Sequence, residues 1–336
     1  MLKKAIYKSL LLLAVLALVN VIYVFTIYPS DLKNISSCAY QCKNLPEGVD
    51  MVYFGESSNF TVDGNDSTQL YISELIQFYA PQYKVVTIDT PAVHAGIYKY
   101  WIKEIKLNLP KAIIVTMNLR SFDGAWIHSK LETALIRSVR LLNNKPKIVN
   151  RFLLSLKNAE DLSVAERDSL LQKEWRTNKL KFPYQFKYNT VREWDNAMAN
   201  GGWLKPDGSW DMDKITLAAH YIKAYAFNID EKNPRIRDFD EIAAWGKENG
   251  VQIYFNILAE NVAKADSLVG KDLVFLMRNN RDYLVNRYSK MGVVVVDNLE
   301  SAGINDFLDK NWTTEHYNYR GRIAIAKKVV SQLKIK

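Results

Sequence analysis

The chain has 336 residues, of which 48% are hydrophobic and 24% charged, so it can form one large or two small folded domains and is not a disordered chain. Its two cysteines exclude a disulfide-stapled scaffold and a cysteine-rich zinc domain. The net charge of +9 comes from basic residues spread along the whole chain, which argues against nucleic-acid binding and favours a solvated basic surface.

The first thirty residues predict a membrane anchor. No charged residue lies between Lys8 and Asp31, and the apolar segment 9–28 has the roughly 20 residues that cross a hydrocarbon core about 30 Å thick. Lys3, Lys4 and Lys8 precede it, so the positive-inside rule leaves the N-terminus in the cytosol. A cleaved signal peptide would have a shorter apolar region that ends in small residues. We therefore expect a single-pass membrane protein whose C-terminal domain is extracytoplasmic, and periplasmic if the source is bacterial.

Residues 31–50 form a predicted linker that contains Cys38 and Cys42. Outside the cytosol a disulfide is permitted, although this one would close a very short loop. A metal site would need more ligands, and no histidine is near. A local staple and a pair of free thiols are the two alternatives.

Beyond the linker, short apolar segments alternate with amphipathic helix patterns. Near-continuous apolar segments are typical of strands that are buried on both faces. The predicted strands cover 52–55, 84–89, 112–118, 251–257 and 293–297. The predicted helices cover 67–79, 95–107, 239–249, 271–290 and 319–334. This alternation predicts a three-layer α/β/α domain over residues 51–336, with a five-stranded parallel sheet between two helical layers.

The alternation stops at about residues 127–238, which we interpret as a mainly helical insertion between the third and fourth strands. The insertion is rich in aromatic residues, which either stack on sugar rings or form a small satellite core. These residues are Trp175, Phe182, Tyr184, Phe186, Tyr188, Trp194, Trp203 and Trp210.

Candidate functional residues follow the apolar segments, because ligands of open parallel sheets bind beyond the carboxyl ends of the strands. Gly55-Glu56-Ser57 follows the first strand, and Gly96 lies in the segment after the second. Asn118 ends the third strand, and His316 lies shortly before the last helix. These positions would meet at one edge of the sheet.

The four segments resemble the motifs of the SGNH (GDSL-like) hydrolase superfamily over residues 51–330, apart from the insertion. Gly55-Glu56-Ser57 is similar to the Gly-Asp-Ser block that carries the nucleophile, with Glu in place of Asp. Gly96 is most like the glycine of the second block, Asn118 is the residue kept from Gly-x-Asn-Asp, and His316 fits the histidine of Asp-x-x-His. The resemblance implies a flavodoxin-like SGNH fold.

The resemblance also implies the roles of these residues. Ser57 would be the nucleophile and His316 the base that activates it. The backbone N–H groups of Ser57 and Gly96 and the side-chain amide of Asn118 would form an oxyanion hole.

The group that orients the imidazole is left open. The family has an aspartate three residues before the histidine, where this chain has Thr313. Asp309 would need the segment around Trp312 to fold back, and Glu315, next to His316, would need an unusual turn. A backbone carbonyl is the third alternative, which would leave a Ser-His dyad.

Two further residues are candidates for substrate binding. Arg120 could hold an anionic group of the substrate, or form a surface salt bridge. His94 is either a pocket residue or a structural histidine. His128 and His220 lie in the insertion and are given no role.

The sequence therefore predicts an extracytoplasmic serine ester hydrolase or O-acyltransferase that acts on acyl esters, with acetyl the first choice, of carbohydrate or cell-envelope glycan. No metal or organic cofactor is implied. A non-catalytic glycan- or partner-binding protein with the same fold is the alternative, favoured by the motif departures at Glu56, Thr116 and Thr313. A glycosyltransferase is a weaker alternative, because a Gly-rich phosphate loop is lacking. The acyl group, hydrolysis against transfer, and the oligomeric state stay open.

Overall fold

At the centre of the computed structural model, which describes residues 2–129, 133–143, 145–156, 162–201 and 203–335, lies a sheet of five parallel strands. Their order, β2-β1-β3-β4-β5, is a common order of doubly wound sheets. The strands are β1 (Met51–Gly55), β2 (Val85–Asp89), β3 (Ala112–Met117), β4 (Gln252–Ile257) and β5 (Val294–Asp297). The predicted five-stranded parallel sheet is confirmed, and each predicted strand agrees with the observed one to within one residue at either end.

The helices occupy the N-terminal segment and the connections between the strands. Before the sheet lie α1 (Leu2–Thr26), α2 (Tyr28–Ile35) and α3 (Ser37–Lys43). Between β1 and β3 lie α4 (Ser57–Phe60), α5 (Ile72–Tyr79) and α6 (Ala95–Ile102). Between β3 and β4 lie α7 (Gly124–Ile127), α8 (Thr133–Leu142), α9 (Lys147–Ser155), α10 (Val164–Thr177), α11 (Val191–Asn200), α12 (Met212–Tyr225) and α13 (Pro234–Asn249). After β4 come α14 (Val262–Leu268), α15 (Lys271–Lys290) and α16 (Tyr319–Gln332).

Both faces of the sheet are covered, because alternate strand residues point to opposite sides. In β1, Met51 and Tyr53 belong to one apolar cluster with residues of α5 and α16. Val52 and Phe54 belong to the other cluster with residues of α6, α13 and α15. All five residues of β1 are buried, which explains why the strand has a continuous apolar pattern.

Two helices begin at residues other than the predicted ones. The helix predicted over 67–79 begins at Ile72, and the backbone carbonyl of Leu70 before it accepts a hydrogen bond from Arg322. The helix predicted over 239–249 begins at Pro234, where the Asn233 side chain accepts from a backbone N–H of the first turn. An asparagine cap followed by proline is a favoured helix start.

Most aromatic residues of the predicted insertion pack on the main core beside the sheet, so they do not form the separate satellite core that was one of the two alternatives. The Phe186 ring lies 4.1 Å from that of Phe182 and 4.8 Å from that of Trp194, centroid to centroid. Phe182 also stacks on Phe275 of α15, at 5.5 Å. Trp210, by contrast, is 48% exposed. Within the insertion, residues 130–132, 144, 157–161 and 202 lie outside the described part of the chain.

The N-terminal helix α1, 25 residues long, is long and apolar enough to cross a membrane. The predicted span, 9–28, extends two residues beyond Thr26, the last residue of α1, and its last residue, Tyr28, begins α2. The C-terminal end of α1 contacts the rest of the protein: Asn20 Oδ1 accepts from the backbone N–H of Ile148 in α9 at 3.0 Å, and Tyr23 Oη donates to Asp31 at 2.8 Å. The candidate anchor is therefore packed against the folded domain.

Cys38 and Cys42 are free thiols on α3, and both are buried. Burial raises the pKa of the Cys38 thiol to about 11, so this thiol is protonated at neutral pH. A buried, protonated thiol behaves as a small apolar residue. Of the two alternatives for this pair, the structure contains the free thiols.

Candidate functional site

Ser57 and His316 meet at the carboxyl edge of the sheet. Ser57 is the first residue of α4 and is separated from the end of β1 only by Glu56, and His316 lies three residues before α16. The Nε2 atom of His316 lies 3.1 Å from Ser57 Oγ, although the two residues are 259 positions apart. The structure therefore brings together the serine and the imidazole that the sequence picked out.

The other imidazole nitrogen contacts Asp309. His316 Nδ1 lies 2.7 Å from Asp309 Oδ2, and the Thr314 hydroxyl donates to the same oxygen. The segment folds back because Phe307 and Tyr317 form an isolated antiparallel bridge. Of the three groups that the sequence left open, Asp309 is the one beside the imidazole.

Glu315 points away from the imidazole, as the neighbouring residue of an extended segment does. Its carboxylate is buried and forms a bidentate ion pair with the Arg120 guanidinium. The expectation that Glu315 orients His316 is therefore not met. Arg120, predicted to bind substrate or to form a surface salt bridge, instead forms a mostly buried ion pair with a side-chain exposure of 12%.

Asn118 connects the residues that precede Ser57 and His316. Its Nδ2 atom donates to Glu56 Oε1 at 3.0 Å and to Glu315 Oε2 at 2.9 Å. A side-chain amide has two N–H donors, so both are used. In this arrangement Asn118 is not a free oxyanion donor, and its predicted oxyanion role stays a prediction. What its contacts do is hold the two segments that carry Ser57 and His316 in register.

Gly96 and His94 contact each other at the start of α6. The Gly96 N–H donates to His94 Nδ1 at 3.1 Å, and His94 is a buried N-cap, 4% exposed. A Cβ on Gly96 would come within 2.7 Å of the Arg235 guanidinium, so a larger residue would have to displace neighbouring side chains. His94 therefore caps α6, and it also lines a surface cavity with Lys99 and Arg140, so its predicted substrate-binding role stays a prediction. Of the three predicted oxyanion donors, the Ser57 N–H lies in the first turn of α4, where backbone N–H groups have no partner within the helix.

A cluster of three buried carboxyl groups lies behind Ser57 and His316. Glu56, Glu260 and Glu315 are at most 3% exposed, and Glu260 accepts a hydrogen bond from Tyr225 Oη at 2.5 Å. Burial, and next to it the charge of Glu315, raises the pKa of Glu56 to about 7 and that of Glu260 well above its usual range. Arg120 is the cation that pairs with this cluster. One cation among three carboxylates favours a protonated state for part of the cluster at neutral pH.

Sequence reasoning did not find Glu260 of this cluster or its hydrogen-bond donor, Tyr225. Glu260 lies three residues after β4, so the rule that selected residues beyond strand ends could have included it. Tyr225, at the end of α12, carries no comparable signal.

A buried arginine fixes the segment that carries His316. Arg322 of α16 is fully buried, and its guanidinium donates to the carbonyl of Tyr317 at 2.8 Å. The same nitrogen lies 2.8 Å from Asp66 Oδ2, in the segment between α4 and α5. A second polar contact fixes the segment that carries Ser57: Asn59 of α4 donates to Asp89 at the end of β2, at 2.6 Å. The positions of Ser57 and His316 are thus set by buried polar contacts, which a sequence pattern does not reveal.

The raised pKa of Glu56 predicts a pH-dependent stability. A folded-state pKa of about 7 means that stability from the bound proton is fully present below the unfolded value of about 4.3 and is lost as the pH rises through about 7. The isosteric change Glu56→Gln keeps the acceptor for Asn118 and removes the titration. We expect the melting temperature of the variant to fall less than that of the wild type between about pH 5 and pH 8. Parallel curves for the two proteins would contradict the assignment.

Sequence comparison does not assign the chain to a family. No protein-family model and no curated protein matches the chain. The functional argument therefore depends on the contacts of Ser57, His316 and Asp309 and on the carboxyl cluster behind them.

Proposed function

We propose that the protein is a membrane-anchored serine ester hydrolase or O-acyltransferase of SGNH type. The observation that carries the proposal is the chain of contacts from Ser57 Oγ to His316 Nε2, 3.1 Å, and from His316 Nδ1 to Asp309 Oδ2, 2.7 Å. A serine hydroxyl becomes an effective nucleophile when a base oriented by a third group takes its proton. Ser57 follows the end of β1, at the edge of the sheet where ligands of such folds bind, and the contacts of His316 and Asp309 lie beside it.

The reaction follows from these roles. His316 takes the proton of Ser57 Oγ as this oxygen attacks the acyl carbonyl, and Asp309 stabilises the resulting imidazolium. The Ser57 N–H donates to the oxyanion, and His316 returns the proton to the leaving alcohol. The acyl-Ser57 intermediate is then attacked by water, or by a sugar hydroxyl in a transferase; His316 accepts the proton of this nucleophile and returns it to Ser57 Oγ as the acyl–serine bond breaks and the acid or new ester leaves.

A carbohydrate ester is the proposed substrate. Trp312, between Asp309 and His316, is 58% exposed, and its ring lies 4.5 Å from that of His220, centroid to centroid. An exposed aromatic side chain in the segment that carries Asp309 and His316 suits the apolar face of a sugar ring. We propose an acyl, and first of all an acetyl, ester of a cell-envelope glycan.

The proposed location is extracytoplasmic. The basic residues Lys3, Lys4 and Lys8 lie at the N-terminal end of α1. With α1 as a membrane span, the positive-inside rule leaves this end in the cytosol and the α/β domain on the other side. A glycan of the cell envelope is accessible from that side.

Active-site labelling tests the proposal. The full chain in detergent is treated with a fluorophosphonate, which phosphonylates an activated serine, and the modified peptide is identified by mass spectrometry. We expect modification of Ser57, its loss in Ser57→Ala and in heat-denatured protein, and its retention in the matched control Ser58→Ala. A folded wild-type chain that leaves Ser57 unmodified would contradict the proposal.

The carbohydrate assignment predicts a selective effect of Trp312→Ala. We expect KM for an acetylated oligosaccharide to rise about tenfold, equivalent to ~1.4 kcal/mol, because the ring contact to the sugar is lost. The rate with 4-nitrophenyl acetate, which has no sugar ring, should stay close to that of the wild type. Trp210→Ala, the loss of another exposed tryptophan, is the control. Equal effects of Trp312→Ala on both substrates would argue against a sugar contact at this ring.

A non-catalytic glycan- or partner-binding protein with the same fold is the second candidate. One observation favours it: the Asn118 amide and the Gly96 N–H, two of the three expected oxyanion donors, are engaged with Glu56, Glu315 and His94. The labelling experiment separates the two candidates, because a binding protein does not need an activated serine.

A further inference from the structure

The helix α9 has an apolar stripe that faces outward. Val149, Phe152 and Leu156, the last directly after the helix, are 39%, 64% and 48% exposed. Their spacing of three and four residues places them on one side of the helix. Asn150 and Leu154 are buried against the protein. The outward side of α9 is therefore its apolar side, the reverse of what an aqueous surface favours.

This stripe lies next to the candidate membrane span. The backbone N–H of Ile148 donates to Asn20 of α1, and Arg151 pairs with Asp31, just beyond α1, at 3.0 Å. The nearby α1 residues Ile22 and Phe25 are 53% and 79% exposed. Exposed apolar side chains therefore lie on both α1 and α9, two helices that contact each other.

Basic side chains lie at the same end of the protein. The ammonium groups of Lys43 and Lys147 each lie 5.5 Å from the centroid of the Tyr28 ring, and Lys145 is exposed. Apolar side chains beside lysine and arginine are typical of helices at a bilayer surface with anionic lipids. Long basic side chains reach from such a helix to the headgroups.

We propose that α9 lies in the membrane–water interface and inserts Val149, Phe152 and Leu156 into the bilayer beside α1. The inference rests on the proposed anchoring through α1 and goes beyond it, because a second contact fixes the orientation of the α/β domain on the membrane. The bilayer is the favoured occupant because the stripe lies on a helix that contacts the candidate span α1 and has basic neighbours.

A depth measurement tests the proposal. The full chain carrying Phe152→Cys is labelled with an environment-sensitive fluorophore and reconstituted into vesicles of phosphatidylcholine and phosphatidylglycerol. We expect lipids with a nitroxide near the acyl carbonyl to remove most of the emission. The same label at Ser331→Cys, on the exposed side of α16, should keep its emission. The parent chain checks that buried Cys38 and Cys42 take no label.

The same label at Phe25→Cys separates failure of this inference from failure of the anchor. Quenching at position 25 without quenching at position 152 would overturn the α9 proposal and leave the anchor in place. Quenching at neither position would overturn both the α9 proposal and the proposed anchoring through α1. A label at position 152 that is shielded from lipid nitroxides and from aqueous iodide would show that protein covers the stripe, and would also overturn the proposal.

Discussion

Ser57→Ala is expected to reduce hydrolysis of 4-nitrophenyl acetate by a factor of about 10⁴–10⁶, because the variant lacks the atom that attacks the ester. Asp309→Asn should reduce it by a smaller factor, about 10²–10⁴, because the imidazole stays in place but loses the carboxylate charge that fixes its tautomer and stabilises the imidazolium. The measurement is the steady-state rate of the full chain in detergent, with the melting temperature of each variant recorded beside it.

The controls for this prediction come from the chain itself. Ser331→Ala removes an exposed hydroxyl of α16 and should leave the rate unchanged. The double variant Ser57→Ala/His316→Gln should be no slower than Ser57→Ala alone, because residues that act as one unit give non-additive losses. A folded Ser57→Ala variant with the wild-type rate would show that the measured hydrolysis does not depend on this serine.

The sheet could be predicted closely because its physical signal is local. A strand between two helical layers needs apolar residues on both sides, so its sequence pattern is continuous and short, as for the buried strand β1. The position of candidate residues followed from topology, since the carboxyl ends of parallel strands lie at one edge. From that rule we could predict that Ser57 and His316 lie at the same edge of the sheet. It gives no information on the distance between them.

The partners of these residues could not be predicted, because they depend on side-chain directions in irregular segments. Asp309 reaches His316 only through the fold-back that the Phe307–Tyr317 bridge closes. Glu315, nearer in sequence, points to the opposite side and pairs with Arg120. The amide of Asn118 had the right residue type for an oxyanion donor, yet two carboxylates compete for it.

The buried carboxyl cluster gives the second large effect. Arg120→Met is expected to lower the free energy of unfolding by about 3–5 kcal/mol, because it removes the cation and leaves the Glu315 carboxylate buried without an ionic partner. The measurement is urea unfolding of the detergent-solubilised chain near neutral pH.

The pH dependence of this loss identifies its cause. Without the cation, the neutral forms of Glu56 and Glu260 are favoured more strongly, so the folded-state pKa values of these two groups, already raised by burial, rise further and stability is lost as the pH increases through them. The destabilisation by Arg120→Met should therefore be smaller in mild acid than above neutral pH. Adding Glu315→Gln removes the unpaired charge and should recover part of the loss, while Arg120→Lys, which keeps the charge but not the bidentate geometry, should cost less than Arg120→Met. A loss that is the same at every pH, and that Glu315→Gln does not reduce, would mean that Arg120 stabilises the protein through packing rather than through its charge.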